Sequence, residues 1–341
     1  MHRRRVKPIS RWKRWRHRFE VVLVDAAGWL GCRLSRGAVR RLGEWLGALM
    51  FLLLRNERRI ALANLELAFG DAFTGAQRRR IARASFRNVY GTLAGLLWAP
   101  RLRGDDLRRW VENGEVFAQA CTEEKGRGRI LLTLHYGDWE LLGLAAAAFG
   151  LPMTVVAREM RNEALAERLR AVRELTGNRV IPQAGAVRKL YQTLRAGGTV
   201  AMLADLNGRM RGGGVWVKFF GLPVFNTASV AALALRTGAV VAVFVAEPLS
   251  AGRVRIRSLG RVDYEPSGDS EADVVGLTQR YMDMAEAVIR EHPEWWMWSY
   301  RRWRYRLSPE RGRYPFYSVY RPMMPVARME ENGIPHGGTM R

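Results

Sequence analysis

The chain has 341 residues, of which 48% are hydrophobic and 26% charged, a composition that excludes a disordered chain and fits one substantial folded core. Its net charge of +24 indicates an anionic partner such as a nucleic acid, an anionic bilayer surface or an acidic protein. The two cysteines, Cys32 and Cys121, exclude a disulfide framework, and neither has the neighbours of a metal cluster. We therefore expect no metal and no cofactor.

The first twenty residues form a basic arm with nine Lys or Arg residues against Glu20 alone, and Trp12 and Trp15 stand among them. Arg and Lys side chains reach toward lipid head groups and Trp prefers the headgroup layer, so the pattern is typical of a membrane surface. The same charges could bind nucleic-acid phosphates, and an arginine-biased composition would also give them. We favour membrane contact.

Two apolar segments follow the arm. Trp45–Leu54 is the longest uninterrupted one, at ten residues, whereas a bilayer span needs about 20. Val21–Leu34 contains Asp25, and with Trp29 this argues against the secretory or lipoprotein signal that the basic start imitates. The sequence therefore predicts that residues 1–54 are a basic arm followed by helices lying in the membrane interface, with one tilted span as the alternative.

Beyond this region, residues 37–120 show helical periodicity throughout, and the pattern changes near residue 126. Short apolar runs then alternate with amphipathic segments, which predicts strands at Arg129–Leu134, Met153–Ala157, Arg179–Pro182, Thr199–Ala204, Val215–Phe220, Ala239–Ala246 and Arg253–Leu259. The repeats predict an α/β fold with a mainly parallel, mixed central sheet flanked by helices, which begins with an N-terminal helical membrane-associating region. Residues 55–307 would form this domain, and residues 308–341, which lack periodicity, a loosely ordered tail.

Polar residues follow three of the predicted strands. His135 and Glu140 come after the first, Arg158 and Asn162 after the second, and Asp205 after the fourth. Ligands of open α/β sheets bind beyond the carboxyl ends of the strands. The sequence therefore predicts a site built from these side chains.

His135 is the one histidine of five that ends a predicted core strand. A strand–turn–helix could fold Glu140 back onto its imidazole, which would hold one ring nitrogen and leave the other free as a general base. The alternative is a structural histidine, with Asp138 capping the following helix. Because Arg158 and Asp205 also follow parallel strands, we favour the catalytic interpretation.

Several common catalytic motifs are absent. No G-x-S-x-G elbow supplies a serine nucleophile, and no Walker loop, dinucleotide fingerprint or metal-ligand spacing occurs. A base without a protein nucleophile predicts direct transfer, in which a hydroxyl of the substrate attacks.

Residues 37–307 resemble the lipid A biosynthesis lauroyl/myristoyl acyltransferases of the lysophospholipid acyltransferase superfamily. The resemblance rests on a His, four residues and an acidic residue, here His135 to Glu140 in LHYGDWELLG, and on five further segments: RRIALANLELAFG, VVAREMRNE, MLADLN with Asp205, VWVKFFGLPVFNTAS and PEWWMWSYRRWRYR. Two positions differ from the family pattern, which commonly has Asp-Gln or Asp-His at Asp205-Leu206 and Arg-Pro at Arg158-Glu159.

The resemblance implies acyl transfer from acyl carrier protein or acyl coenzyme A to a hydroxyl of a membrane glycolipid or lipid A precursor. His135 would be the base, Glu140 would orient it, and Arg158 would bind an anionic group. Further substrate contacts would come from Asn162, Asp205, Phe219, Phe220 and Thr227. Phe219 and Phe220, with the tryptophans at 295, 296 and 298, would line an acyl groove, unless these aromatics are simply core.

The implied location is the cytoplasmic face of the bacterial inner membrane, against its anionic surface. Alternative acceptors are a phosphatidylinositol mannoside, a lysophospholipid or an amino-acid lipid. A rival of another class is a membrane-tethered nucleic-acid-binding protein with a degenerate acyltransferase fold. Because no recognised nucleic-acid motif occurs, nucleic acid is not an expected partner.

Overall fold

The computed structural model of the chain describes residues 11–102, 104–122, 126–157, 160–208 and 213–321. Its helices are α1 (Arg11–Gly31), α2 (Arg36–Leu53), α3 (Arg55–Phe69), α4 (Gly75–Trp98), α5 (Val116–Thr122), α6 (Trp139–Ala148), α7 (Glu163–Glu174), α8 (Ala186–Arg195), α9 (Ser229–Thr237) and α10 (Ser270–Glu291). The predicted helical lead-in is confirmed, although it also contains one short strand near its end.

The central sheet has seven strands in the order β1-β9-β8-β2-β5-β3-β4. They are β1 (Val111–Glu112), β2 (Arg129–Thr133), β3 (Met153–Ala157), β4 (Arg179–Pro182), β5 (Thr199–Leu203), β8 (Val240–Pro248) and β9 (Val254–Arg261). All neighbours are parallel except β8 and β9. The predicted α/β class with a mainly parallel, mixed sheet is therefore confirmed.

The strand predicted at residues 215–220 does not join this sheet. It is β6 (Gly214–Phe219), which pairs antiparallel with β7 (Leu222–Thr227) in a separate hairpin. Phe220 turns the chain with a φ of 49°, followed by Gly221 with a φ of 74°, a left-handed pair that matches the twist of a two-residue hairpin turn.

The sheet carries a hydrophobic layer on each face. One layer includes Ile130 and Leu132 of β2 and packs against α8, α9 and α10. The other includes Leu131 and packs under α6 with Leu141 and Leu144. Burial of both faces explains why the strands are short continuous apolar runs and not alternating ones.

Helix α2 lies antiparallel to α4: Gly43 is next to Gly91, and one turn later Gly47 is next to Phe86. The glycines let the two backbones approach closely. The outward face of α2 is apolar and exposed at Leu42, Trp45, Leu46, Leu49, Leu52 and Leu53, and α1 exposes Trp12, Trp15 and Phe19. Among the described residues, no helix combines the length and apolarity needed to cross a bilayer.

We expect Gly47→Ala to lower the free energy of unfolding by about 1–3 kcal/mol. A Cβ at residue 47 would lie 2.5 Å from the Phe86 carbonyl oxygen and 2.8 Å from the Arg87 Cα, and backbone atoms of a packed helix cannot easily move. Gly28→Ala on α1 is the matched control, since nothing lies within 4 Å of a Cβ built at residue 28. Helix propensity should raise its free energy of unfolding by roughly 0.5–1 kcal/mol. Urea unfolding measures both, and equal effects would contradict the close packing.

Residues 308–321 pack against the domain, in contrast to the loosely held tail that the sequence predicts there. Tyr317 is buried and donates a hydrogen bond to Asn64, and Arg313 donates to the Leu67 carbonyl. A short bridge joins β10 (Tyr305–Arg306) to β11 (Val319–Tyr320). The rest of that predicted tail, residues 322–341, lies outside the described residues.

Candidate active site

The sheet brings His135 and Asp205 together through the register of two neighbouring strands. β2 and β5 are parallel, and Thr133 lies opposite Leu203 at their last paired position. Two residues further along each strand, the chain reaches His135 and Asp205. The parallel register therefore delivers both side chains to the same point at the carboxyl edge of the sheet, where α/β proteins bind their ligands.

Asp205 is almost fully buried and receives three hydrogen bonds. Its Oδ1 lies 3.0 Å from His135 Nδ1. Its Oδ2 accepts from the His135 backbone N–H at 2.9 Å and from Trp296 Nε1 at 2.9 Å. The carboxylate is thus fixed in one orientation, and it holds the imidazole by Nδ1.

The orientation of the imidazole leaves Nε2 as the ring nitrogen for chemistry. No described residue forms a hydrogen bond with Nε2, and 18% of the His135 side chain is exposed. The Trp139 ring packs edge-on against it with centroids 5.4 Å apart. A neutral imidazole with its proton on Nδ1, directed at a carboxylate, presents a lone pair at Nε2 and can act as a general base.

The charges around the imidazole act in opposite directions. Burial lowers the pKa of His135, but the attraction and hydrogen bond of Asp205 outweigh burial, and the pKa is raised overall. Glu140 adds to the increase through space and Arg173 opposes it. Burial raises the pKa of Asp205, but His135 and the Trp296 N–H outweigh it, so this pKa is lowered. Asp205 is therefore the ionised partner of the pair.

The loop between β2 and α6 is held by close backbone contacts. Gly137 has a φ of 59°, and a Cβ there would lie 1.8 Å from the Ala246 carbonyl oxygen, so this position requires glycine. The Gly137 N–H donates to the Trp295 carbonyl, and its own carbonyl accepts from Asn88 and Thr92 of α4. These contacts fix His135 relative to the helical layer above the sheet.

Asp138 caps α6, as the structural interpretation of this segment predicts, because its Oδ1 accepts from the Leu141 N–H. Its Oδ2 accepts from Arg36 Nη2 at 2.8 Å and lies 3.6 Å from Arg40 Nη1. Arg36 and Asp138 are both buried. Helix α2, with its exposed apolar face, is thus joined by a buried ion pair to the helix that follows His135.

Glu140 does not form the ion pair with His135 that the sequence predicts. Its two oxygens accept from Arg173 of α7, at 3.0 Å from Nε and 2.5 Å from Nη2. A guanidinium matches a carboxylate in two parallel hydrogen bonds, which a neutral imidazole cannot do. Asp205 takes the place against Nδ1 that was expected for Glu140, and Glu140 affects the imidazole through space.

We expect Glu140→Gln and Arg173→Gln each to lower the free energy of unfolding by about 1–3 kcal/mol, because each leaves a partly buried charge without its partner. The double variant should lose less than the sum of the two, by roughly 1–2 kcal/mol. The exposed pair Arg170 and Glu167, 2.8 Å apart, is the matched control, with a coupling of about 0.5 kcal/mol or less. Urea unfolding of both cycles makes the comparison, and equal couplings would contradict a structural ion pair at Glu140.

Asn162, predicted to contact substrate, has structural partners. Its Oδ1 accepts from the Leu165 N–H at the start of α7, and its Nδ2 donates to the His17 carbonyl and to Glu20 Oε2. It therefore caps α7 and attaches α1 to it, and Arg168 and Asp25 add an exposed ion pair between the same helices. Arg158, predicted to bind an anionic group, lies outside the described residues.

Phe219 and Phe220 do not line an open groove, contrary to the acyl groove that the sequence predicts there. They are 0% and 3% exposed and pack against Trp296, Trp298 and Trp303. The core interpretation therefore holds for Phe219, Phe220, Trp296 and Trp298, whereas Trp295 is only partly buried. Thr227 is half-buried, and its hydroxyl donates to Ser229 Oγ and accepts from the Ser229 N–H at the start of α9.

Sequence reasoning missed Arg302 as part of the surroundings of the pair. Arg302 is 1% exposed. It donates to Asn207 Oδ1 at 3.0 Å and to Asn226 Oδ1 at 2.6 Å. Burial lowers its pKa, and the Asp205 carboxylate opposes that effect. Arg302 is one of three arginines at residues 301–304, and nothing in the sequence separates the one that turns inward.

A cavity of about 320 Å³ lies at the opposite end of the sheet. It is lined by strand-start residues, including Arg129, Thr199 and Val240, and shares no lining residue with the His135 pair. We therefore assign it no part in the chemistry. Within the described ranges, no cluster of three or more His, Cys, Asp or Glu side chains could hold a metal ion.

Comparison with known proteins identifies a family and curated relatives of this chain. A profile of the bacterial lipid A biosynthesis acyltransferases matches residues 10–305. A phosphatidylinositol mannoside acyltransferase of Mycolicibacterium smegmatis is 30% identical over 192 residues, 55% of this chain and 60% of that protein. One of Mycobacterium tuberculosis is 30% identical over 190 residues, 54% and 58% of the two chains. The match thus spans less than two thirds of these relatives. On the breadth of the profile match, the chain belongs to the bacterial lipid A biosynthesis acyltransferase family.

Proposed function

We propose that this chain is an acyltransferase that moves a fatty acyl group from a thioester to a sugar hydroxyl of a membrane glycolipid. The observation that carries the proposal is the His135–Asp205 pair, in which a buried carboxylate holds Nδ1 and leaves Nε2 available. Family membership supports the reaction type. The pair supports direct attack by the acceptor, since a base of this kind activates a hydroxyl without a protein nucleophile.

In this reaction His135 Nε2 takes the proton of the acceptor hydroxyl while the hydroxyl oxygen bonds to the thioester carbonyl carbon. The resulting tetrahedral adduct carries negative charge on the former carbonyl oxygen. When it collapses, the C–S bond breaks and the imidazolium returns the proton to the departing thiolate. Asp205 stabilises the imidazolium between the two proton transfers, in a fixed orientation that needs no rearrangement.

The start of α6 supplies donors for the adduct. The Leu141 N–H is used by Asp138, and the Leu142 N–H by the Asp138 carbonyl. No described residue accepts from the backbone N–H groups of Trp139 and Glu140. They lie at the positive end of a helix directly after the His135 loop, the arrangement that suits a developing oxyanion.

The acceptor class follows from the relatives and the surface. Both relatives described above are phosphatidylinositol mannoside acyltransferases, which favours a mannose-bearing phosphoinositide over a lipid A precursor as acceptor. The exposed apolar faces of α1 and α2 suit a helical layer that dips into the bilayer interface. Since α4 and α2 are bonded to the His135 loop, a lipid head group could reach the site from that surface.

The site of action we propose is the cytoplasmic face of the bacterial inner membrane, where acyl thioesters are available. The donor is acyl carrier protein or acyl coenzyme A, and the described residues favour neither.

The test is transfer by the purified chain in vesicles that carry one acceptor at a time: a phosphatidylinositol mannoside, a lipid A precursor or a lysophospholipid. Radiolabelled palmitoyl coenzyme A and palmitoyl carrier protein serve as donors, with lipid products identified by mass spectrometry. We expect an ester on the mannoside, formed about 10²–10⁴-fold more slowly by His135→Ala. Transfer to the lipid A precursor alone would replace the acceptor, and no transfer to any acceptor with either donor would contradict the proposed function.

A further inference from the structure

A row of arginines lines a groove on the outer side of α4. Arg79, Arg80 and Arg83 are exposed there, and the groove, with a volume of about 610 Å³, is closed at one side by Phe51 and Leu52 of α2. Arg79 and Arg83 are four residues apart and Arg80 and Arg83 three, so the three guanidinium groups share one helix face. Like charges at this spacing destabilise a helix unless an anion lies between them.

The protein offers these arginines no anion among its described residues. The neighbouring cations do have partners: Arg87 pairs with Glu44, and Arg58 donates to the Phe51 and Leu52 carbonyls. No described acidic side chain lies within ion-pair distance of Arg79, Arg80 or Arg83. The groove is therefore a concentrated positive site that an external anion can fill.

The position of the groove indicates what carries that anion. The apolar row of α2 ends at Leu52 and Leu53, and because α2 runs antiparallel to α4, Leu52 lies beside the arginines in the groove. Exposed leucines thus continue directly into exposed guanidinium groups. A bilayer surface has the same arrangement, with acyl chains beneath a layer of phosphates, and Arg side chains reach from one to the other.

We infer that the groove formed by Arg79, Arg80 and Arg83 binds the phosphate head groups of anionic phospholipids and sets how the enzyme sits on the membrane. The inference rests on the proposed function, in which the acceptor is a membrane lipid. An acidic protein would match the charge, but it would leave the adjoining row of Leu49, Leu52 and Leu53 exposed to water. A lipid surface would contact the arginines through its phosphates and the leucine row through its acyl chains.

The docked surface lies close to the chemistry. On the opposite face of α4, Ser85 donates to the Trp296 carbonyl and Asn88 to the Gly137 carbonyl. One helix, roughly 10 Å across, therefore separates the phosphate layer from the loop that carries His135. Binding at the arginines would place the catalytic edge of the sheet beside the head groups of the acceptor.

The experiment measures binding of the full chain to vesicles by flotation. One vesicle is phosphatidylcholine alone, and the other contains about one third phosphatidylglycerol. The test variant is R79Q/R80Q/R83Q. The control is R188Q/K189Q/R195Q on α8, which removes the same three charges from exposed positions on a helix that packs over the sheet.

We expect wild type to prefer the anionic vesicles and the control to keep that preference. Each basic side chain near an anionic surface strengthens binding about fivefold, so the α4 variant should bind them about 100-fold more weakly. Equal binding by the two variants would overturn the inference. So would unchanged vesicle binding by the α4 variant together with loss of transfer from carrier protein but not from coenzyme A, which would make the groove a carrier-protein site.

Vesicle binding needs no turnover, so this outcome is separate from that of the transfer assay. If the chain binds anionic vesicles through the α4 arginines but transfers no acyl group, the proposed function is contradicted. Lipid binding by the groove is then still supported. Circular dichroism and thermal unfolding of both triple variants establish that each is folded. All six substituted side chains are exposed, and we expect little change in stability.

Discussion

His135→Ala is expected to lower kcat/KM for acyl transfer by about 10²–10⁴-fold, the usual contribution of a positioned general base. Without an imidazole, no described side chain can take the hydroxyl proton at the position of Nε2, since Asp205 faces Nδ1 and is buried behind the ring. Residual transfer would come from binding and from the backbone donors at the start of α6. The measurement is the steady-state rate with saturating donor and vesicle-borne acceptor.

Removing the imidazole also leaves the buried Asp205 without one of its three donors, which could unfold the loop. His135→Asn addresses this, because its amide N–H₂ can still donate to Asp205 but cannot act as a base. Both variants should therefore lose transfer activity to a similar extent, and His135→Asn should be the more stable of the two in thermal unfolding. His292→Ala is the histidine control, since that ring stacks on Trp295, 4.1 Å between centroids, and is partly exposed. Transfer by His135→Asn within tenfold of wild type would exclude His135 as the base.

The pattern of apolar runs in the sequence was sufficient to predict most of the fold. β2, β3 and β4 are short apolar runs, each followed by a helix that ends at glycine or near it, and this alternation was enough to predict a parallel sheet. The order of the strands was not predictable in the same way, because it depends on which crossovers pass over which face. β5 lies between β2 and β3, so Asp205 lies beside His135 although the β3 segment comes between them in sequence.

That strand order explains the misplaced partner of His135. Glu140 is near the imidazole in sequence, and local chain geometry alone makes it the expected carboxylate. The structure brings in Arg173 from α7, 33 residues further along the chain, as a better partner for Glu140. Trp296, which completes the set of donors to Asp205, is 91 residues away. Contacts of this kind depend on tertiary packing, which hydrophobic periodicity does not report.

The aromatic cluster shows a second limit of prediction from sequence, which concerns composition and not chain order. Phe219 and the tryptophans at 296, 298 and 303 are large apolar side chains in a chain that should bind an acyl group, and composition cannot separate a ligand groove from a core. In the structure they are buried to 1% exposure or less, and Trp296 uses its indole N–H on Asp205. The cluster is thus part of the core, and Trp296 is its member that contacts the Asp205 carboxylate.

Asp205→Asn should lower kcat/KM by about 10²–10⁴-fold through the wrong tautomer of His135, although the two side chains have nearly the same shape. Asp205 Oδ2 accepts from two N–H groups, the His135 backbone and Trp296 Nε1, neither of which can accept a hydrogen bond. An asparagine must therefore place its carbonyl oxygen there and its N–H₂ against His135 Nδ1. Nδ1 then becomes the acceptor, the ring proton moves to Nε2, and the atom that should take the hydroxyl proton already carries one.

The pH dependence separates this explanation from a general loss of structure. In wild type the pKa of His135 is raised above its ordinary value of 6.5, because Asp205 outweighs burial. The base is protonated at low pH, so kcat/KM should rise with pH through an apparent pKa above 6.5. In Asp205→Asn burial remains and the attraction is gone, so the acidic limb should move to lower pH even as the plateau falls. Asp263→Asn removes an exposed carboxylate and should change neither the plateau of kcat/KM nor the pH of its acidic limb. A reduced plateau with an unmoved acidic limb would mean that Asp205 supports the fold without acting on the imidazole.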